Sequence, residues 1–188
     1  MANEFKLIYD EAEVGMKKVI DATKRDFSSL RTGRANTSIL DRVMVEYYGS
    51  EVPINQVANV SVPEARMILI QPWDKSILPQ VEKAIQKADL GLNPSNDGSV
   101  IRLVIPQLTE ERRKELVKIA KKEAEEKRVA VRNLRRDAND QLRKLEKDGI
   151  VSEDDYKKGL DEIQKLTDKY IEQIDRLLEN KEAEILEV

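Results

Sequence analysis

The chain has 188 residues, of which 37% are charged and only 4% aromatic, with a net charge of −3. That balance favours long solvated helices over one thick core, in one or two domains. Cysteine and histidine are both absent, which excludes disulfides, thiolate metal sites and the commonest general base.

The N-terminus, MANEFKLIYDEAE, is polar and acidic, unlike a signal peptide. No apolar run approaches the roughly 20 residues of a membrane span, so a soluble cytoplasmic protein is expected. From there Phe5, Ile8, Ala12, Met16, Val19, Thr23, Phe27 and Leu30 recur at 3-and-4 spacing, which predicts an amphipathic helix. LRTGRAN (30–36) follows. It reads as a C-cap with Gly33 as the left-handed residue and two arginines complementing the helix dipole. A functional cluster at the same place is compatible with that cap.

All six prolines (Pro53, Pro63, Pro72, Pro79, Pro94, Pro106) fall in the next stretch, and proline breaks helix interiors. A compact insert over 31–106 is therefore expected. Val43, Val45 and Tyr47 alternate with polar residues, Gly49-Ser50 marks a turn, and Val52 and Ile54 resume the strand pattern. Val57–Val62, Met67–Ile70 and Ser99–Ile105 are further strand candidates, the last preceded by the turn formers of Asn93–Gly98. Ser76–Ala88 reads as a short helix with Pro79 in its first turn. The result is a small β/α/β domain held by two connections, Arg31–Asp41 and Pro106–Thr109. Two connections make a hinge, which centres on Arg31, Thr32, Gly33, Arg34, Pro106 and Gln107.

Thr109 followed by Glu110 and Glu111 looks like an N-cap with an acidic first turn. The helix it opens carries Val117, Ala120, Ala124, Val131, Leu134, Ala138, Leu142 and Leu145 on one stripe. Asp148-Gly149 stops it, and Ser152 with Asp155 imitates a capping box for a third helix. That helix carries Tyr156, Leu160, Ile163, Thr167, Tyr170, Ile174 and Leu177. So short a connection makes the last two helices antiparallel neighbours. At 1.5 Å per residue the three helices are roughly 45, 60 and 50 Å long. Each stripe is narrow and needs the others to cover it. The fold class is therefore α+β in two domains: an elongated three-helix bundle from 1–30 and 107–188, interrupted by the inserted domain.

Glycines nowhere show a GxxxxGK or GxGxxG spacing, and no serine–lysine pairing stands out. Glu153-Asp154-Asp155 sits in a helix first turn, where the macrodipole favours acids, rather than in a metal or acid/base site. No catalytic residue, metal or cofactor is assigned, and an enzyme is not expected. Charge is more telling: residues 107–150 carry +4 and 151–188 carry −6. With Val131 at zero and roughly 100° per residue, Lys114, Lys118, Lys121, Arg128, Arg132, Arg135, Arg136 and Arg143 share one flank of the second helix. Only Glu125 and Glu146 intrude there. In a chain this charged such a flank is often only a solvated face. Arginine favours phosphate, because its planar fork suits phosphate oxygens. No aromatic residue lies between Trp73 and Tyr156, so the flank suits the phosphates of folded RNA rather than single-stranded bases. A protein-binding helical adaptor or chaperone-like module is the competing expectation.

LRTGRAN (30–36), GLNPSNDGSVIRLVIPQLTEERR (91–113), VRNLRRDAND (131–140), DGIVSEDD (148–155) and QKLTDKYIEQID (164–175) stand in this order. On these motifs the chain is similar to the bacterial ribosome recycling factors over essentially its whole length. The resemblance implies an L-shaped arrangement of bundle and small domain. It implies binding to the post-termination ribosome, and subunit separation with elongation factor G and GTP. It implies contact between the second helix and large-subunit ribosomal RNA, through Arg128 and Arg132 first, then Arg135 and Arg136, with Lys121 and Arg143 on the same flank. The elongation factor would press on the smaller domain, which swings about the hinge. A monomer is expected.

Overall fold

A computed structural model describes residues 3–187. The chain forms two compact units. One comprises residues up to Arg31 together with Glu110–Glu187, the other Thr32–Thr109.

The first unit is built from α1 (Asn3–Ser29), α3 (Glu110–Lys147) and α4 (Glu153–Leu186), each packed on the other two. Its core differs from the sequence stripes in detail. On α1 the buried row passes through Ile20 rather than Val19, and on α3 it begins at Leu116 rather than Val117. In both places the sequence offers two adjacent apolar residues, and helix packing selects one. Leu30, Leu134, Leu145, Tyr156, Leu160 and Leu177 are half-buried flanks, while Gly159, Leu166 and Ile185 join the core of α4. Two threonines sit in this core at no hydrogen-bonding loss. The hydroxyls of Thr23 and Thr167 donate to the carbonyls of Val19 (2.7 Å) and Ile163 (2.8 Å), one turn back.

The turn between α3 and α4 forms as its sequence requires. Gly149 has φ +71°, and its N–H donates to the Glu146 carbonyl at 3.0 Å, while the Ile150 N–H donates to Leu145 at 2.9 Å. This Schellman pattern needs a left-handed residue, which glycine adopts without Cβ strain. Ser152 then caps α4, its hydroxyl accepting from the Asp155 N–H at 3.1 Å.

Gly33 does not act as the left-handed cap of α1. It is not among the positive-φ glycines, and α1 ends four residues earlier at Ser29. The hydroxyls of Ser28 and Ser29 donate to the carbonyls of Arg25 (2.8 Å) and Asp26 (2.7 Å) instead, satisfying acceptors of the last turn. A Cβ at 33 would lie 3.4 Å from Cγ of Leu108 on the returning connection, an ordinary van der Waals contact, so nothing in the local packing requires glycine there.

The second unit holds β1 (Met44–Tyr47) and β2 (Ser50–Pro53), which pair as a hairpin. It also holds an antiparallel sheet in the order β3 (Ala58–Glu64), β4 (Met67–Pro72), β6 (Ile101–Val104), β5 (Pro94–Asn96). Helix α2 (Leu78–Lys87) has Pro79 in its first turn. Leu40, Val45, Ile68, Ile70, Val81, Ile85, Ile101 and Leu103 fill the core between them.

Three expectations for this unit are corrected. Ile54 lies in a 3₁₀ turn (Ile54–Gln56) rather than continuing β2, which ends at Pro53. Pro94–Asn96 is a strand rather than a turn, because the outer edge of β6 is open to pair Ser95 with Arg102. Proline is tolerated at the first position of such an edge strand. The turn shrinks to the residues around Gly98 (φ +90°), where the Asp97 carboxylate accepts from the N–H groups of Ser99 and Val100 at 2.9 and 3.0 Å. Finally, the first connection is shorter than Arg31–Asp41. Ala35 N–H donates to the Ala65 carbonyl at 2.7 Å, Asn36 caps the 3₁₀ turn Thr37–Leu40, and Leu40 is buried.

No helix among the described residues is long and apolar enough to cross a membrane.

Candidate nucleic-acid interface

Helix propensity and the apolar row of α3 fix where its remaining side chains point. Once Leu116, Ala120, Ala124, Val131, Ala138 and Leu142 face inward, the arginine flank must border one of the two seams. It borders the seam with α4. Arg128 donates from Nε and Nη2 to Asp175 Oδ1 of α4, at 2.8 and 2.7 Å. Arg135 donates to Oε1 of Gln164 on α4 at 3.3 Å, and Gln164 donates in turn to Asp168 at 2.9 Å. The neighbouring residue Lys127 turns the other way and pairs with Asp26 of α1 at 2.7 Å. Adjacent residues on α3 thus tie it to both partner helices.

One carboxylate organises the middle of the flank. Glu125 accepts from Arg128 Nη1 through Oε2 and from Arg132 Nη1 through Oε1, both at 3.1 Å. The hydrogen bond from Arg132, then that from Arg128, holds the Glu125 carboxyl below its ordinary pKa. Burial works against the charge of Arg128, but its bonds to Asp175 and Glu125 outweigh it and hold its guanidinium above the ordinary value. The Arg128 side chain is 19% exposed and that of Arg132 39%. Arg128 has therefore spent three of five N–H groups inside the protein, and Arg132 one.

Lys121, Arg136 and Arg143 are exposed and make no ion pair among the described residues. The six sequence-assigned cations thus lie along one edge of α3 in graded states, from clamped (Arg128) through half-engaged (Arg132, Arg135) to solvent-facing. A rigid helix carrying several arginines with spare N–H groups can grip successive phosphates of a folded RNA. Sequence reasoning missed Asp175, Gln164 and Asp168, since their place beside the flank depends on the packing of α4. It recorded Glu125 only as an intruder, although its offsets of three and seven residues from Arg128 and Arg132 put it beside both.

The residues that the sequence assigns to a hinge lie in the two segments that join the units. Arg31, Arg34, Pro106 and Gln107 are exposed, while Thr32 and Gly33 are half-buried.

A profile of the ribosome recycling factor family matches residues 23–186. The ribosome-recycling factor of Syntrophomonas wolfei is 61% identical over 183 residues, covering 97% of this chain and 99% of that protein. That of Heliobacterium modesticaldum is 59% identical over 188 residues and covers both chains completely. A solution structure of the ribosome recycling factor covers both chains completely at 48% identity, with a TM-score of 0.73. The ribosome recycling factor of T. thermophilus, in models with E. coli elongation factor G bound to the E. coli post-termination complex, is 49% identical. It covers 97% of this chain and 98% of its own, with a TM-score of 0.62.

Proposed function

The chain belongs to the ribosome recycling factor family, and from that premise we propose that it separates post-termination ribosomes into subunits. It does so with elongation factor G and GTP, releasing mRNA and tRNA. The observation that carries this is the relative bound with elongation factor G to the post-termination complex, 49% identical over nearly all of this chain. The chain is a translation factor and not an enzyme; the GTP is hydrolysed by its partner.

In this function α3 is the anchor. Arg128, Arg132, Arg135 and Arg136, with Lys121 and Arg143, grip the phosphates of large-subunit ribosomal RNA. Support comes from their common edge and from the N–H groups they keep available. The second unit receives the push of elongation factor G, and the joining segments Arg31–Arg34 and Pro106–Gln107 form the hinge. The protein acts as a monomer in the cytoplasm, in keeping with a bundle whose three apolar rows cover one another.

Sedimentation of post-termination ribosomes with this protein, elongation factor G and GTP, each omitted in turn, tests the proposal. Subunits should appear only in the complete mixture. Arg132→Ala should weaken ribosome binding by roughly 1–3 kcal/mol, the size of one arginine–phosphate contact. Failure to bind ribosomes at any salt would overturn it and favour a protein-binding adaptor, whose affinity is only weakly salt-dependent.

A further inference from the structure

We propose that Glu125 is an internal stand-in for an RNA phosphate, occupying the fork between Arg128 and Arg132 in the free protein and yielding it when the edge seats on RNA. The inference rests on the assignment of this edge to RNA and adds a residue that sets its selectivity.

The geometry is that of an anion held by two guanidinium groups. Each oxygen of the Glu125 carboxylate accepts from a different arginine, at equal distances of 3.1 Å. Phosphate presents the same chemistry, anionic oxygens in a fork of planar donors. The two carboxylates around Arg128 differ in how readily they can leave. Asp175 receives two N–H groups of Arg128 from the neighbouring helix, so releasing it disturbs the α3–α4 seam. Glu125 is on the same helix as both arginines, and its side chain is 55% exposed. A rotamer change swings it into water while Asp175 keeps Arg128 in place. Glu146, the other carboxylate on this flank, makes no ion pair with these arginines among the described residues.

Selectivity follows from the exchange. An RNA that offers one phosphate must displace Glu125 from both arginines to gain a single contact. A surface with phosphates placed for both arginines replaces the two ion pairs together. A competing internal charge therefore penalises stray RNA more than the correct surface, which is discrimination by a repulsive element. It matters for a basic edge in a cell crowded with RNA, because phosphate attraction alone carries no sequence information.

The test compares wild type, Glu125→Gln, Glu126→Gln, Arg132→Ala and the Glu125→Gln/Arg132→Ala double variant. Binding is read by fluorescence anisotropy on a generic RNA duplex and by co-sedimentation with 70S ribosomes. Glu125 and Glu126 are both exposed, so neither change threatens folding, and Glu126→Gln removes the same charge without touching the fork. Glu125→Gln is expected to tighten duplex binding about three- to tenfold, the size of two solvent-exposed ion pairs ceasing to compete. Ribosome affinity should rise by less, so that the ratio between the two falls. Glu126→Gln should change duplex binding less than about twofold, and in the double variant Arg132→Ala should reduce the gain to the part that comes from the Arg128 pair. Glu125→Gln behaving like wild type, or like Glu126→Gln, overturns the inference. If Arg132→Ala still weakens ribosome binding in that case, the RNA edge stands without its internal competitor. If Arg132→Ala changes neither ribosome nor duplex binding, the edge assignment itself falls and the inference with it.

Discussion

Gly159→Ala places a single methyl group where all three long helices meet. Gly159 is buried on α4, and a Cβ built there lies 3.0 Å from Cε2 and 3.2 Å from Cδ2 of Phe5 on α1, and 3.1 Å from Cδ1 of Leu142 on α3. Carbon atoms pack best at about 3.5–4.0 Å, so both neighbours must retreat. Neither has room: Phe5 is 8% exposed and Leu142 1%. Alanine is favoured over glycine inside a helix by about 1 kcal/mol, whereas overpacking a tight core costs about 1–3 kcal/mol. The clash should win, with net destabilisation of about 1 kcal/mol and a fall in Tm of roughly 2–4 °C. Far-UV circular dichroism melts, with urea titrations to check that m is unchanged, measure it. Gly15→Ala is the matched comparison. Its Cβ would also lie 3.0 Å from a neighbour, but that neighbour is the pair of terminal methyl groups of the half-buried Leu134, which can rotate away. There the helix preference should prevail and Tm should hold or rise. A Gly159→Ala variant as stable as wild type would refute the argument that this three-helix contact has no slack.

Further outcomes follow from the ionisable groups. Burial, then the nearby charge of Glu13 and the hydrogen bond to it, push the Tyr170 hydroxyl from 10.0 up to about 12. A pKa raised on folding favours the neutral form, so this contribution is complete below pH 10 and lost as pH rises towards 12. The stability difference between wild type and Tyr170→Phe should therefore shift against wild type by on the order of 2 kcal/mol across that window; a constant difference in urea melts at pH 9 and 11.5 would contradict it. Arg128→Ala should cost about 1 kcal/mol of stability in addition to ribosome affinity, because it removes the mostly buried guanidinium that ties α3 to Asp175 on α4, while the half-exposed Asp175 carboxylate turns to water. Arg136→Ala, exposed and unpaired among the described residues, should weaken ribosome binding and leave the urea midpoint unchanged. Equal midpoints for the two variants would show that the Arg128–Asp175 pair does not hold the seam.

The bundle was legible from sequence because a helix is a local structure. The 3.6-residue period, the Gly149 stop and the Ser152 cap each act within a few residues, and the proline cluster marks where that period ends. The family motifs likewise lie in the order of residues. The left-handed cap expected at Gly33 does not form, because α1 already ends at Ser29, where the hydroxyls of Ser28 and Ser29 satisfy carbonyls of the last turn. The strand at Pro94–Asn96 was hidden because turn formers pair when a neighbouring strand offers an open edge. Among the site residues, helical spacing alone put the arginines on one edge of α3. Which of them are clamped and which are available depends on Asp175 and Gln164 reaching across from α4, and on one rotamer of Glu125. Periodicity sets the direction of a side chain from its own helix, whereas its partner, and so the N–H groups it has left for a ligand, is decided by how the helices pack.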